Sequence, residues 1–421
     1  MQFCNLLAPH DEETFFADYW ERKPFHIVRA QRDYFKELLT LETLNTIFSQ
    51  LMFRADECKV ARDGKIVPQS AYVSEPAMRV MERTATDYVN TTHLLGLFAQ
   101  GATLVLSQLN HKWRPLEILK QEMEKHLSAT VITNVFLSNR NAQGFSAHYD
   151  SHDVFVLQLH GTKIWSLYDS PIELPLKSQA FGHTPVEKGR LVSEITLSAG
   201  DVLYVPRGYF HEAKTADAVS LHLTLGVHPY LWVDYLGDLI NGAGHRVPSL
   251  RKSVPRNFLA LQDTDRLTYI RHALSELLDA PGLGNLIYAS AIGRKLESSI
   301  YSAPDQLNEI LASRELTARS RLARRDNNVR IVAERQGNVV AVNYLGRSLL
   351  LPFSQEPMIE AVRAKAEFTI AELPGAVSIE QKINFAKKLI GAGMLVTMPD
   401  TTPEAPAMGT DRMTLRSRSI R

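Results

Sequence analysis

Short apolar runs with alternating polar positions follow one another closely between about residues 120 and 235. The runs cover residues 129–137, 154–159, 163–168, 201–205 and 218–227. Turns rich in Gly, Pro, Asp and Asn separate these runs. Alternation is typical of half-buried strands, and many short strands with such punctuation indicate a barrel or a sandwich instead of β-α-β units. The expected fold class is therefore α+β, with the β-structure concentrated in this region.

Helical patterns surround the β-rich region. An acidic amphipathic segment at 11–19 lies in the mixed region that precedes residue 120. Beyond residue 235, the stretch 236–320 reads as helical and carries an apolar stripe. The stripe is formed by Leu267, Ile270, Leu274, Leu277 and Leu278. Such a stripe either pairs two copies of the chain or packs within one chain.

The stretch 321–400 combines short strands with helices. Strands are predicted at 329–333, 338–344 and 348–351, and helices at 358–368 and 379–390. Ser378 and Gln381 have the spacing of a capping box at the start of the second helix. A hairpin followed by helices is consistent with a winged helix. The tail, 401–421, is rich in Thr, Pro, Ser and Arg and is predicted to be disordered.

Composition and charge exclude several function classes. The formal net charge is +1, so neither nucleic acid nor a membrane is favoured globally as a partner. The two cysteines, Cys4 and Cys58, lack CxxC spacing, which excludes a disulfide framework and a thiolate zinc site. No apolar run reaches the roughly 18 residues of a membrane span, and residues 1–12 do not resemble a signal peptide. The cytoplasm is therefore the expected compartment.

A local basic segment is a separate candidate for nucleic-acid contact. Between Arg314 and Arg335 there are seven arginines against three acids. Such a run is able to contact ribosomal RNA or another nucleic acid. Aromatic residues for base stacking are missing nearby. The favoured interpretation is a solvated linker with scattered arginines.

Two segments of the β-rich region carry candidate metal ligands. His148 and Asp150 form an HxD pair, and residues two apart on a strand point to the same face. The second segment, GDVLYVPRGYFH, places a strand and a Pro-Arg-Gly turn before His211. Two imidazoles and one carboxylate form the facial triad that suits non-haem Fe(II) and leaves coordination positions open. The alternative for both histidines is a surface position or a hydrogen-bonded place in the core.

The sequence offers a competing ligand in His152. It also lies two residues from Asp150, so a straight strand would point His148, Asp150 and His152 to the same side. We favour His148, because the apolar strand that follows Asp153 leaves His152 at the outer edge of the pocket. The other histidines lack ligand spacing and are expected on surfaces or in local hydrogen bonds.

These motifs resemble those of a known family. HYDSHDVFVLQLHGTKIW and AGDVLYVPRGYFHEA resemble the JmjC-type ribosomal oxygenases, which are cupin-like protein hydroxylases, and FFADYWERKPFHI resembles their N-terminal Y-W-x-x-K-P segment. The resemblance implies a catalytic domain over 1–235 with a double-stranded β-helix (jelly-roll) core at about 120–235. It also implies a helical dimerisation region over 236–320, hence a homodimer, and a C-terminal winged-helix domain over 321–400. Only the tail lies outside it.

Carried over residue by residue, the resemblance implies iron(II) ligation by His148, Asp150 and His211, and 2-oxoglutarate binding by Lys163. A buried cation at that place has a physical reason, because a dicarboxylate would otherwise lose its hydration without compensation. The alternative is a surface lysine at the start of a strand. Asn134 matches a family asparagine near the co-substrate, and the alternative for its amide is a hydrogen bond to a neighbouring strand.

The last core strand carries one further candidate and one departure from the family. Ser220, His222 and Thr224 alternate with apolar neighbours and share a face. His222 either faces the metal pocket as a co-substrate contact or packs in the core. The family's final serine of this stretch is Gly226 here. We therefore do not carry over the role of that serine.

The function implied by the resemblance is an iron(II)- and 2-oxoglutarate-dependent oxygenase. Its expected substrate is a protein side chain, an arginine or histidine of a ribosomal protein. A second interpretation is a hydroxylase that tailors a peptide natural product. A third is a non-catalytic cupin-like or winged-helix binding module, which an intact triad together with Lys163 disfavours.

Overall fold

The fold is described from a computed structural model. It describes the whole chain except residues 74–77, 81–82, 86, 171, 184–185, 245–246, 281–304, 326–330, 345–346 and 400–421. The chain divides into two units, Met1–Trp232 and Val233–Arg421, and each is described by itself. Within the described residues, none of the helices combines the length and the hydropathy that crossing a membrane requires.

The first unit contains five helices and thirteen strands within the described residues. The helices are α1 (Phe3–Leu7), α2 (Glu12–Asp18), α3 (Leu41–Gln50), α4 (Thr91–Ala99) and α5 (Arg114–Leu127). The strands are β1 (Phe25–Ile27), β2 (Cys58–Arg62), β3 (Lys65–Ile66), β4 (Met78–Val80), β5 (Arg83–Ala85), β6 (Thr103–Ser107), β7 (Ala129–Ser138), β8 (Asp153–His160), β9 (Thr162–Tyr168), β10 (Leu191–Ser198), β11 (Val202–Val205), β12 (Phe210–Lys214) and β13 (Ser220–Pro229). Each apolar run of the sequence pattern lies on a strand.

Two antiparallel sheets form the core of this unit. The larger has the order β1-β11-β8-β13-β7-β6-β2-β3, and the smaller has the order β10-β9-β12. An antiparallel bridge between His148 and His211 extends the smaller sheet beyond β12. From β8 onward the chain passes from the larger sheet (β8) to the smaller (β9 and β10), back to the larger (β11), to the smaller (β12) and again to the larger (β13). Such crossing between two sheets is typical of a jelly roll.

The alternation within each strand separates an inner core from an outer one. On β7, Val131, Val135 and Leu137 join the helices α1 to α5 in the outer core. The residues that alternate with them along β7, from Ile132 to Ser138, share the opposite face, and there Ser138 accepts from the Lys163 ammonium. The inner core between the sheets is smaller and consists of Val154, Val156, Trp165, Leu167, Leu197, Leu203 and Val205. Because this inner core is apolar, a polar side chain on an inner face needs a hydrogen-bond partner or a ligand.

The second unit has five helices and six strands within the described residues. The helices are α6 (Trp232–Gly244), α7 (Asp263–Leu278), α8 (Gln306–Ala312), α9 (Glu356–Ala364) and α10 (Ile379–Gly391). The strands are β14 (Arg321–Arg324), β15 (Val332–Gln336), β16 (Val339–Tyr344), β17 (Arg347–Pro352), β18 (Glu367–Thr369) and β19 (Leu395–Thr397). β15, β16 and β17 form one sheet, and β18, β14 and β19 form another. The predicted capping box is present, because Ser378 Oγ accepts from the N–H of Gln381 and the Gln381 side chain accepts from the N–H of Ser378.

Two predictions for this unit are wrong in part. The helix predicted over 358–368 ends at Ala364, and Phe368 lies on β18 opposite Leu322 of β14, where its ring is buried. The linker predicted around the arginines includes β14, in which Leu322 and Ala323 are buried. Arg321 is the first residue of this strand and forms an ion pair with Glu367. Arg325 follows the strand and donates to the carbonyl of Gly393 and to the side chain of Gln306. Burial of β14 between two strands overrides the polar appearance of the segment.

Candidate metal centre

The backbone brings the two candidate histidines together. The N–H of His148 donates to the carbonyl of His211 at 3.1 Å, and the N–H of His211 donates to the carbonyl of His148 at 2.8 Å. Opposed residues that exchange both hydrogen bonds carry their side chains on the same face of a sheet. The ring centroids of the two imidazoles are 4.6 Å apart. Segments that are distant in sequence thus present two imidazoles to one point.

Hydrogen bonds fix which ring nitrogens face Asp150. Nδ1 of His148 lies 2.8 Å from the carbonyl oxygen of Ser146, and Nδ1 of His211 lies 3.1 Å from that of Tyr209. A carbonyl only accepts, so each Nδ1 carries the hydrogen and each Nε2 keeps a lone pair. Nε2 of His211 is 3.6 Å from a carboxylate oxygen of Asp150. One ligand atom from each of the three residues lies within 4.8 Å of the other two.

The charge states suit a cation. Burial, followed by the neighbouring His148, lowers the pKa of His211 to about 4, so this imidazole is neutral near pH 7. For Asp150, burial raises the pKa, but His152, His211 and His148 together outweigh it and keep the pKa of the carboxyl below its usual value. A carboxylate beside a neutral imidazole is the state that binds a divalent metal. The donor set fits iron(II) chemistry and leaves positions for other ligands.

A buried ionic network holds the two ligand-bearing segments. Asp153 follows Asp150 by three residues and accepts from the Arg207 guanidinium at 2.9 Å, from the Arg207 N–H at 3.2 Å and from Tyr204 Oη at 3.0 Å. The same guanidinium donates to Glu21 at 2.6 Å. Arg207 lies in the Pro-Arg-Gly turn that precedes His211. The network therefore joins both metal-ligand segments to the N-terminal region, a connection that the sequence did not predict.

The glycine of that turn has a structural reason. Gly208 has φ +92, and a Cβ at this position would lie 2.6 Å from the carbonyl oxygen of Ile172. Its N–H donates to the carbonyl of Asp150 at 2.9 Å. A side chain would be strained and would clash with backbone. Glycine thus allows the turn to approach the strand that bears Asp150.

We expect substitution of Arg207 by methionine to destabilise the first unit by about 3–5 kcal/mol, because Asp153 would stay buried without its cation. Chemical denaturation followed by tryptophan fluorescence measures the change. The control is Arg190→Met, since that guanidinium is 93% exposed and lies 3.8 Å from Asp169. Exposed pairs contribute only about 0–1 kcal/mol. Equal losses for the two variants would contradict the prediction.

Lys163 lies inside the barrel with an unusual set of partners. Its side chain is 3% exposed, and its ammonium donates to Ser138 Oγ at 2.9 Å. No carboxylate of the described residues lies within ion-pairing distance of it. Burial lowers the pKa of Lys163 to about 7. The predicted alternative of a surface lysine is therefore wrong, and a bound anion would stabilise a buried cation that has a single hydroxyl partner.

His222 shares the interior with Lys163. It is 1% exposed, and its ring stacks on Phe136 with centroids 4.6 Å apart. Burial and the charge of Lys163 hold the pKa of His222 well below its usual value. Its Nδ1 and Nε1 of Trp165 are buried with no hydrogen-bond partner in the described part of the chain. Since buried polar groups are normally satisfied, these atoms indicate where a polar ligand would bind.

Asn134 is less buried than these residues. It lies on the inner face of β7, paired with Thr224 of β13 and Ser107 of β6. Its backbone carbonyl accepts from Thr224 Oγ1 at 3.4 Å. Its side-chain amide makes no hydrogen bond to any described residue. The hydrogen bond from the neighbouring strand therefore goes to the backbone of Asn134 and not to its amide. Contact between the amide and the co-substrate stays a prediction.

His152 lies outside the group of three ligand atoms. Its ring stacks on that of His228 with centroids 4.4 Å apart. From the sequence alone, His228 is expected on the surface or in a local hydrogen bond, and this stacking is not predicted. The signal was available, since His228 follows Ser220, His222, Thr224 and Gly226 at intervals of two on the strand.

Comparisons with known proteins agree with this geometry. A family model described as JmjC domain matches residues 106–235. Ribosomal oxygenase 2 of Bos taurus is 30% identical over 61% of this chain and 55% of its own length. The histidyl-hydroxylase NO66 of Drosophila mojavensis, a bifunctional lysine-specific demethylase by name, is 31% identical over 53% of this chain and 24% of its own length. The chain thus spans about half the length, or less, of these curated relatives.

Residues 106–235 thus match the JmjC domain, and the chain is similar to ribosomal oxygenases. Among solved structures, the Escherichia coli ribosomal oxygenase YcfD superposes with a TM-score of 0.50 and 16% identity, covering 92% of this chain and 98% of that one. A second structure of E. coli YcfD gives a TM-score of 0.51 at 15% identity, with the same coverage. At this identity the likeness concerns the fold. The predicted JmjC/cupin core of helices and antiparallel sheets is confirmed.

Proposed function

We propose that this chain is an iron(II)- and 2-oxoglutarate-dependent oxygenase that hydroxylates a protein side chain. The proposal rests on one arrangement. A His-Asp-His group and a buried lysine, which has no acidic partner among the described residues, face the interior of the same barrel. The first suits a divalent metal, and the second suits the far carboxylate of a dicarboxylate that chelates that metal.

Each interior residue has a defined task in this proposal. His148, Asp150 and His211 hold the metal, and Lys163 orients 2-oxoglutarate through its distal carboxylate. Nδ1 of His222 and Nε1 of Trp165, which have no partner in the described ranges of the chain, lie on the inner wall and would donate to the same anion. When bound, iron(II) and 2-oxoglutarate supply the chemistry that inserts an oxygen atom from dioxygen into a C–H bond, with succinate and carbon dioxide as products.

The apolar wall supports this task. Val154, Val156 and Leu203 belong to the inner core and exclude water from the base of the barrel. In a dry site, the attraction between Lys163 and a carboxylate is much stronger than in water. The protein therefore contributes geometry, exclusion of water and electrostatics.

The substrate class comes from the relatives. Their names describe ribosomal oxygenases and a histidyl-hydroxylase. We therefore propose an arginine or histidine side chain of a ribosomal protein as the target. A reducing compartment, the cytoplasm, belongs to this proposal, since Cys4 and Cys58 are both free thiols.

The second unit carries two further parts of the proposal. On α7, Leu267, Ile270 and Leu274 are exposed although they form one apolar stripe, which supports a homodimer through the region 236–320. The strands and helices of 321–400 surround a core of their own, which supports a winged helix. Contact of this unit with nucleic acid has less support, because several of its arginines are bound within the unit.

We expect the affinity for 2-oxoglutarate to fall as pH rises above about 7. The pKa of Lys163 is lowered to about 7 in the protein without co-substrate, and a bound carboxylate would raise it. Binding then takes up a proton, so affinity declines by up to about tenfold per pH unit above 7. Calorimetry in buffers of different ionisation enthalpy measures this uptake. In Lys163→Arg, whose charge is permanent, the remaining affinity should be flat over this range; a flat wild-type profile would contradict the prediction.

The enzymatic proposal is tested by turnover. Purified protein is incubated with iron(II), 2-oxoglutarate, ascorbate and ribosomal proteins, and mass spectrometry detects a gain of one oxygen atom. Parallel incubation with peptides encoded near the gene tests a natural-product target. Succinate formation that requires His148 supports an oxygenase, and its absence in every arm would refute the proposal.

A further inference from the structure

A second pair of imidazoles lines the barrel beside the candidate metal ligands, and the proposed metal and co-substrate contacts do not use it. His152 lies two residues after Asp150, and His228 lies near the end of β13. Their rings stack with centroids 4.4 Å apart and planes 25° apart. Both side chains are partly exposed, whereas His222 on the same face of β13 is buried. The pair therefore lines the open part of the site.

Gly226 makes room for this pair. It lies two residues before His228 on the same face of β13. A Cβ at this position would lie 2.9 Å from both Cδ2 and Nε2 of His152. Any other residue would push the imidazole away from the strand, because 2.9 Å is below the contact distance of carbon and nitrogen atoms. The position of the His152 ring therefore requires glycine at residue 226.

The pair has free hydrogen-bonding capacity. No ring nitrogen of His152 or His228 hydrogen-bonds to a residue that the structure describes. Burial, followed by His152, lowers the pKa of His228 to about 4, so this ring is neutral near pH 7. A neutral imidazole offers one N–H donor, one nitrogen acceptor and a flat face. The ring of His152 stacked beside it adds further ring nitrogens, so the pair suits a planar group that both stacks and hydrogen-bonds.

We propose that His152 and His228 form the subsite that binds the planar, nitrogen-bearing side chain of the substrate, a guanidinium or an imidazole. The inference deepens the proposed function and rests on it. A side chain held against this pair would lie near Asp150, because His152 follows Asp150 by two residues. An aliphatic side chain would use neither the free nitrogens nor the stacking face. His152 is then a specificity-determining residue and not a metal ligand.

The test uses the full-length protein loaded with zinc, which does no redox chemistry, and with 2-oxoglutarate. Three capped tripeptides serve as probes, glycine-X-glycine with arginine, histidine or leucine at X. Proton–carbon NMR of the labelled histidine rings reports binding and the affinity of each peptide. We expect the arginine or the histidine peptide to bind about tenfold more tightly than the leucine peptide. The peptide that binds more tightly shows whether the subsite prefers a guanidinium or an imidazole.

Two variants test the role of the pair. His152→Phe keeps a flat ring but removes the nitrogens, and we expect it to lower the affinity for the preferred peptide about tenfold. Gly226→Ala should cause a similar loss by displacing the ring. In the double variant the second substitution should add little, because both remove the same interaction. His93→Phe, at an exposed position of α4, is the control and should leave the affinity unchanged.

The outcomes separate this inference from the proposed function. Wild-type protein that binds neither zinc nor 2-oxoglutarate would refute both. Protein that binds both of these, but binds the three peptides equally or not at all, would overturn only the inference. Equal peptide affinities for wild type and His152→Phe would also overturn it, as would full additivity of the two substitutions.

Discussion

Replacing Asp150 by alanine is expected to lower the affinity for cobalt(II), a stand-in for iron(II), by at least about 100-fold and to abolish succinate formation. Loss of a residue that only supports a ligand already costs 10–100-fold in metal affinity, and Asp150 is the sole anion among the three candidate ligands. Calorimetric titration of cobalt(II) into the metal-free protein measures the change.

The control for this substitution is Asp217→Ala. Asp217 is an exposed carboxylate of the same unit, just before β13. The Asp217→Ala protein should bind cobalt(II) with wild-type affinity. Thermal melting of both variants checks that the loss of affinity does not come from unfolding. Retained affinity in Asp150→Ala would show that a different group holds the metal, and the assignment of the three ligands would be abandoned.

The second large effect is expected at Lys163. Substitution by methionine keeps the length of the side chain but removes the ammonium, so a bound dicarboxylate would be buried without its cation. Unpairing a buried charge in this way costs about 2–5 kcal/mol, which predicts a loss of about 30-fold or more in affinity for 2-oxoglutarate. Calorimetry with the zinc-loaded protein measures this affinity without turnover.

Lys214→Met is the matched control for this variant. Lys214 ends β12, opposite Ile164 of β9, but its side chain is exposed. We expect the control to bind 2-oxoglutarate with wild-type affinity. Lys163→Met should also be more stable than the wild type, because burying a cation that has no acidic partner among the residues the structure describes is costly. Unchanged affinity in Lys163→Met would place the co-substrate elsewhere.

The sequence pattern predicted the parts of the site that local rules determine. The alternation of β7 and β13 sets the inward faces of Asn134 and His222, and the spacing of His148 and Asp150 sets a shared direction. Lys163 was identified through resemblance, together with the cost of burying a dicarboxylate. These inferences need only strand geometry and one energetic argument.

Other features depend on contacts between distant segments. The network of Glu21, Asp153, Tyr204 and Arg207 joins residues far apart in sequence, and no periodicity marks such a set. The stacking of His152 on His228 depends on the absence of a side chain at Gly226, which a linear pattern does not show. Likewise, Phe368 continues a helical pattern but lies on a strand, because pairing with β14 buries its ring.

Crystals loaded with cobalt(II) and 2-oxoglutarate provide the most direct measurement, through anomalous scattering from the metal. We predict one strong peak at about 2.0–2.2 Å from Nε2 of His148, Nε2 of His211 and a carboxylate oxygen of Asp150, with the distal carboxylate of 2-oxoglutarate on the Lys163 ammonium. A peak elsewhere in the chain, or a metal bound without Asp150, would contradict the account.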